Sequence, residues 1–191
     1  MLVDSVLMFR ARHPECEVRA REVHLGDVFG PLRRDELDLV AGPVLLTEPT
    51  GLIVPRDHRI ARSSSISSTA TGIDVVSIGG PASAYWHRYL DETWHIAPAR
   101  PIGAHTFEDV LTAVAFGAGV HPAGSHAELH YPRRGTVYVP FDDGQGHAWR
   151  PVWMPGVETA RLQAFVRTML DTVDELGAEH YVAGPPNRSP K

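Results

Sequence analysis

The 191-residue chain has few of the residues that mark secreted, membrane-spanning or DNA-binding proteins. Its single cysteine, Cys16, excludes an internal disulfide and favours a reducing cytoplasm. No run of about 18 apolar residues is present, and the N-terminal MLVDSVLMF lacks a basic start and a small-residue cleavage pattern. With a formal net charge of −5 and no block of lysine and arginine, the chain has no electrostatic footprint for duplex DNA. These absences predict a cytoplasmic chain that neither spans a membrane nor binds DNA by itself.

Catalytic and metal-binding motifs are also missing. The sequence contains no G-x-S-x-G elbow, no phosphate-binding glycine loop after a strand, and no HExxH among its 11 histidines. We therefore predict no catalytic residue, no metal and no cofactor. One alternative is that His126 and His130, one helical turn apart, share a metal ion; the other is that they form an exposed polar face. Cys16 is predicted to be buried in a strand rather than to act as a nucleophile.

What the sequence does contain is a succession of short helices and strands. It is 43% hydrophobic and 21% charged, as in soluble globular domains, and its 17 glycines and 16 prolines indicate frequent turns. Periodicity and capping signals predict helices at 2–11, 27–33, 83–93, 107–116, 125–130 and 158–176. They predict strands at 16–23, 37–41, 52–55, 75–78, 119–123, 137–141 and 147–154. This alternation predicts mostly parallel sheets covered by helices.

Several segments, taken in order, resemble the effector-binding domain of LysR-type transcriptional regulators. The most informative is the apolar strand 52–55, which ends on a charged turn and resembles the strand that crosses between the two subdomains of that family. The segments are FRARHPECEVRAREV, FGPLRRDELDLVAG, VLLTEPTGLIVPRDHRIA, GGPASAYWHRYLDE, RPIGAHTFEDVLTAVAFGAGVHPAG, LHYPRRGTVYVPFDD, HAWRPVWM and ETARLQAFVRTM. Each is weak alone, and their shared order and spacing carry the resemblance.

The resemblance implies an α/β fold of two Rossmann-like lobes joined by a hinge, similar to type II periplasmic binding proteins. We expect lobe I to comprise 1–52 and 142–180, lobe II to comprise 53–141, and 181–191 to be a disordered tail. The family's N-terminal winged helix-turn-helix and linker helix have no counterpart, and neither has the strand expected before 2–11. The sequence therefore predicts either a truncated gene product or a stand-alone remnant.

A ligand in such a fold is expected between the lobes, near strand ends and helix N-termini, where free N–H groups favour anions. Ser83 and Thr106 lie at two predicted helix starts, although each could equally be a helix cap that meets no ligand. The resemblance implies that His24, Asp27 and His121 also face this cleft. These five residues are the predicted effector-binding residues.

The predicted function is that of an effector-sensing and oligomerisation domain. The resemblance implies a small-molecule effector, expected to be an organic anion, and a homodimer or tetramer. It also implies contact with DNA only through a helix-turn-helix domain that this chain lacks. The alternative is a stand-alone small-molecule binding protein without DNA-binding activity. An enzyme with an unrecognised site is a third class, but no constellation of residues supports it.

Overall fold

The protein is described by a computed structural model that covers residues 2–41, 47–70, 73–94, 100–177 and 180–181. The chain forms two compact units. Within the described residues, the first unit takes 2–23, 28–47 and 148–181, and the second takes 24–27 and 48–147. The predicted lobes have different bounds, and their exact division stays a prediction. Tyr181, assigned to the disordered tail, is buried, and the rest of that tail lies outside the described residues.

Two helices pack together in the first unit: α1 (Leu2–Arg12) and α6 (Ala160–Leu176). Phe9 and Phe165 meet edge to face with ring centroids 5.1 Å apart, and Arg12 pairs with carboxylates of α6. The N-cap of α6 is Thr159, whose hydroxyl accepts from the Leu162 N–H, so this helix begins and ends close to the predicted bounds. The shorter helix α2 (Gly30–Arg33) belongs to the same unit.

Two predicted strands of the first unit are wrong. Residues 16–23 form no strand, and 37–41 contribute only an antiparallel bridge between Val40 and Val152. Alternating apolar and polar residues allow a strand, but a strand also needs a neighbour for its N–H and C=O groups. No strand among the described residues pairs with 16–23, so that segment stays irregular. Cys16 is accordingly half-exposed, contrary to its predicted burial.

The helix predicted from Asp27 is also different. Leu25–Asp27 form one turn of 3₁₀ helix, and α2 begins after Phe29, which contributes no side-chain cap. Asp27 therefore does not cap a helix. The proline at the start of α2 supplies the fixed backbone angle instead.

The second unit contains most of the strands and three helices. They are β2 (Thr50–Pro55), β3 (Val76–Ile78), α3 (Ser83–Trp94), β4 (Arg100–Ile102), α4 (Phe107–Ala115), β5 (His121–Gly124), α5 (His126–His130) and β6 (Thr136–Pro140). The two-residue strands β1 (Thr47–Glu48) and β7 (His147–Ala148) pair with each other where the chain passes between the units. The last predicted strand, 147–154, is thus much shorter than expected.

In the second unit, β3, β4, β5 and β6 run in one direction and β2 runs in the other, so its two pairings are antiparallel and the predicted mostly parallel sheet is only partly found. β3 and β4 are parallel, and a parallel bridge from Val75 to Val120 places β3 beside the start of β5. The strand β2, predicted to cross between the lobes, belongs wholly to the second unit, where it lies between β5 and β6 and is antiparallel to both. Strands that follow a helix point the same way because the helix returns the chain to the starting edge. β2 follows no helix and runs against them.

The strand β2 is buried on both faces. Ile53 packs into one hydrophobic cluster, and Leu52 and Val54 pack into another on the opposite face. This two-sided burial explains why β2 reads as a continuous apolar run rather than an alternating one. None of the described helices is long and apolar enough to cross a membrane.

Candidate functional site: a sheet edge with three loops and a buried carboxylate

The carboxyl ends of β3, β4 and β5 meet at one edge of the sheet in the second unit. The loops 79–83 and 103–106 leave this edge, and the segment 24–27 packs against both of them. The Leu25 N–H donates to the His105 carbonyl (2.8 Å), and the Ala82 N–H donates to the Gly26 carbonyl (2.6 Å). The indole N–H of Trp86 donates to the Leu25 carbonyl (2.7 Å). We call 24–27, 79–83 and 103–106 the three-loop site.

Four of the five predicted effector residues lie in this site. His24 is exposed, its ring centroid is 4.2 Å from that of His105, and its Nδ1 accepts from the Gly26 N–H (2.8 Å). Asp27 is half-buried at the end of the 3₁₀ turn. Ser83 is half-buried at the first position of α3, and its hydroxyl makes no hydrogen bond with any described residue. The fourth is Thr106.

Thr106 forms the predicted capping box of α4. Its hydroxyl accepts from the Asp109 N–H (3.3 Å), and the Asp109 carboxylate accepts from the backbone N–H groups of His105 (2.8 Å) and Thr106 (3.0 Å). Those backbone bonds hold the pKa of Asp109 below its usual value. The N-terminus of α4 therefore already holds a carboxylate of its own chain. The first turn of α3, by contrast, contains no acidic residue.

His121, the fifth predicted residue, lies in the core of the second unit. Its Nδ1–H donates to the Val76 carbonyl (3.2 Å), and its ring packs edge to face near Phe107. Burial lowers its pKa to about 4. These contacts account for His121 as a core residue that is neutral at pH 7, and its predicted contact with an effector stays untested.

Sequence reasoning missed a buried carboxylate at the same sheet edge. The Glu48 side chain is 0% exposed. It accepts from the His126 backbone N–H (2.8 Å) and from His126 Nδ1 (2.7 Å), and the Ser125 hydroxyl lies 3.5 Å away. Gly124 makes room for it, since a Cβ there would overlap the carboxylate.

This contact bears on the prediction of an exposed polar face for the histidine pair. His126 is buried against Glu48, so the prediction of an exposed polar face is wrong for it, while His130 is exposed. Within the described ranges, no three His, Cys, Asp or Glu side chains are grouped as metal ligands.

A second polar contact adjoins the first. The Tyr89 hydroxyl lies 2.6 Å from Nδ1 of His147, which is only 9% exposed. Burial raises the pKa of Tyr89, with further contributions from Tyr85 and Glu48. Burial lowers the pKa of His147, and the Glu48 charge opposes that shift. We call Glu48, Tyr89, Ser125, His126 and His147 the buried polar cluster.

The architecture of the second unit, together with the two chain crossings, is that of the type II periplasmic-binding-protein-like effector domains. Three solved structures share it. The regulatory domain of CcmR from Synechocystis PCC6803, in complex with 2-PG, is 18% identical, with a TM-score of 0.65 and coverage of 92% of each chain. HinK, a LysR family regulator from Pseudomonas aeruginosa, is 18% identical, with a TM-score of 0.64 over 92% of this chain and 67% of HinK. The effector-binding domain of a BenM variant is 14% identical, with a TM-score of 0.66 over 91% of this chain and 88% of that one.

The sequence itself identifies the family. Residues 1–174 match the family model described as the LysR substrate binding domain, so the chain belongs to that family. Domains of this family are the regulatory domains of LysR-type transcriptional regulators. The predicted α/β fold is confirmed. No curated protein matches the chain.

Proposed function

We propose that this chain senses a small organic anion at the three-loop site, as the effector-sensing domain of a LysR-type regulator. The observation that carries the proposal is the N-terminus of α3, where the Ser83 hydroxyl makes no hydrogen bond with any described residue and lies beside the backbone N–H groups of the first turn. CcmR was solved with 2-PG bound to its regulatory domain, and the BenM structure is an effector-binding domain. Both support a sensing role for this member of the family.

The surroundings of Ser83 favour a negatively charged ligand. The chain carries a net charge of −5, so an anion needs local donors to overcome the general repulsion. His24 and His105 present exposed imidazoles on the adjacent loops. The first turn of α3 contains no acidic residue, whereas that of α4 contains Glu108 and Asp109. An anion is therefore bound at α3 by the Ser83 hydroxyl and the backbone N–H groups that follow it.

Ser83→Ala and Thr106→Ala form a matched pair that tests this placement. Thermal unfolding is measured against a panel of organic acids, aromatic carboxylates and amino acids. A ligand at 100 times its Kd adds about 2.7 kcal/mol, which raises the Tm of a chain of this size by roughly 5–10 °C. We expect Ser83→Ala to abolish that shift with little change in the ligand-free Tm. Thr106→Ala is expected to cost about 1 kcal/mol through its lost cap and to keep the shift.

Two results contradict the proposal. One is a ligand-induced shift that survives in Ser83→Ala, which would place the ligand elsewhere. The other is a shift lost equally in both variants, which would make Thr106 a ligand contact, as predicted from the sequence, and would remove the distinction between the two helices.

Oligomerisation is proposed to use the outer face of α1. Val3 and Leu7 are 70% and 60% exposed and lie one turn apart, so together they form an apolar strip on this helix. The family resemblance implies a homodimer or tetramer that packs through this helix. We expect Leu7→Glu to halve the molar mass measured by light scattering on a size-exclusion column.

The matched control for the oligomer is Leu129→Glu. Leu129 is another exposed leucine, on α5 of the second unit. This variant is expected to keep the wild-type mass. A wild-type chain that is already monomeric, or equal masses for the two variants, would overturn the assignment to α1.

The proposed role in transcription acts through attached DNA-binding domains. We propose that effector binding shifts the population of domain conformations and thereby alters how attached DNA-binding domains are held. The same proposal places the protein in the cytoplasm and assigns it no catalytic activity. A reading frame that encodes a helix-turn-helix directly upstream would support it. Without such a frame, the chain acts as a small-molecule binding protein.

A further inference from the structure

The buried polar cluster holds both points at which the chain passes between its two units. Glu48 ends β1 at the first crossing, and His147 begins β7 at the second. Each of these side chains is nearly inaccessible and contacts a side chain of the second unit. Glu48 is bonded to His126 of α5, and His147 to Tyr89 of α3.

The two crossings are also joined directly. β1 and β7 pair as a two-stranded sheet, so the backbone that carries Glu48 lies beside the backbone that carries His147. A crossing that shifted by itself would break this pairing as well as its own side-chain bond. Buried polar networks of this kind are costly when only partly satisfied, because each lost partner leaves a desolvated polar group unpaired.

The charges connect the same groups. The carboxylate of Glu48 accepts a hydrogen bond from the His126 backbone N–H and lies beside Nδ1 of His126 and the Ser125 hydroxyl, and donors of this kind suit its ionised form. This charge also acts on the Tyr89 hydroxyl and on the His147 ring, and His126 acts on His147 in the opposite sense. Tyr138 of β6 and Tyr85 of α3 are the other titratable groups within this field.

We propose that the buried polar cluster is a latch that couples the two chain crossings, so that loosening either crossing loosens the other. Glu48 and Tyr89 are the two arms of the latch, and they act as positioning residues that touch no effector. The proposal is independent of the effector site, because it concerns the mobility of the crossings in the ligand-free chain.

Hydrogen–deuterium exchange, followed by mass spectrometry of the full chain, tests the latch. Peptides that cover 47–51 and 147–150 report on the first and second crossing. Tyr89→Phe removes only the hydroxyl that meets His147, and Glu48→Gln removes the charge that meets His126. We expect either variant to speed exchange in both peptides by about fivefold to tenfold, as for the loss of one buried hydrogen bond. In the double variant, the increase in exchange rate is expected to be smaller than the product of the two single increases. The reason is that the first substitution has already loosened both crossings.

Ser67→Ala is the matched control. Ser67 donates from its hydroxyl to Asp143 in an exposed loop of the same unit and accepts from the Thr69 N–H, so this variant also removes hydroxyl hydrogen bonds, but outside the cluster. It is expected to leave both peptides unchanged.

A spectroscopic measurement separates the latch from a general loss of stability. Because the Glu48 charge holds the pKa of His147 up against burial, Glu48→Gln should lower the pKa of His147 in an NMR titration. Ser67→Ala should leave that titration unchanged. The latch is refuted if Tyr89→Phe speeds exchange only at 147–150, or if the His147 titration is the same in Glu48→Gln. Should Glu48→Gln fail to fold, the two peptides in Tyr89→Phe decide the question.

Discussion

Replacing Gly124 with alanine is expected to cost the protein about 3–5 kcal/mol of unfolding free energy, the cost of separating a buried charge from its hydrogen-bond partners. A Cβ at this position would overlap the carboxylate of Glu48, which is fully buried and bonded to His126. Elsewhere an overlapped carboxylate swings aside at little cost. The Glu48 carboxylate cannot move aside without losing its hydrogen-bond donors. A buried charge without partners inside the second unit has a high free-energy cost. Chemical denaturation measures the loss as a shift in midpoint.

Gly103→Ala is the control for this substitution. A Cβ at Gly103 meets nothing within 4 Å, so this glycine-to-alanine change in the same unit is expected to stay within about ±0.5 kcal/mol. A second test repeats Gly124→Ala in a Glu48→Ala background. There the added methyl has no carboxylate to displace, so its cost should shrink by more than half. An equal cost in both backgrounds would show that the strain lies in the backbone and not in the Glu48 contact.

The second large effect is a loss of stability in acid that depends on His121. Burial lowers the pKa of this histidine from 6.5 to about 4 in the folded protein. As the pH falls below 6.5, His121 becomes protonated in the unfolded chain but stays neutral in the folded chain. The free energy of unfolding therefore decreases until the pH reaches about 4. Above pH 6.5 His121 is neutral in both states, and none of this stability is lost. A shift of this size corresponds to about 3 kcal/mol lost by pH 4.

His121→Asn isolates that contribution, because asparagine keeps a neutral donor for the Val76 carbonyl but does not titrate. The variant is less stable than the wild type at pH 7.5, since the smaller side chain leaves a cavity. Between pH 7.5 and pH 4, however, the difference between the two should shrink by about 3 kcal/mol. His130→Asn, at an exposed position, is the control and should follow the wild-type profile. A constant difference between wild type and His121→Asn across this range would contradict the assignment.

The sequence correctly predicted the helices whose capping residues lie at their own ends. The capping box at Thr106 and the glycine after Leu176 mark α4 and α6, and both helices form where they were expected. The apolar run 52–55 became the core of β2 because a strand buried on both faces needs no alternation. Each of these features depends on residues within one or two turns of each other, and such interactions are legible in a sequence.

The predictions were wrong where a strand or a side-chain contact depends on residues that are distant in the sequence. The alternation at 16–23 has the right period for a strand, but the described residues offer it no partner. Glu48 and His126 are 78 positions apart. They meet because Thr50 of β2 lies opposite Gly124 of β5, a register that neither strand specifies alone. The sequence around His126 therefore predicted an exposed helix residue, because its burial depends on a strand that is distant in the sequence.

The sequence by itself determined the family of this protein, its class of fold and the positions of its better-capped helices, because local pattern and the order of segments carry that information. It also pointed to Ser83 and Thr106, since helix starts are legible locally. Only the tertiary structure showed that the Asp109 carboxylate accepts from the N-terminus of α4, and that the Ser83 hydroxyl makes no hydrogen bond with any described residue. Only the tertiary structure revealed the buried polar cluster, because a carboxylate can lose its water only where folding brings donors from elsewhere in the chain to replace it.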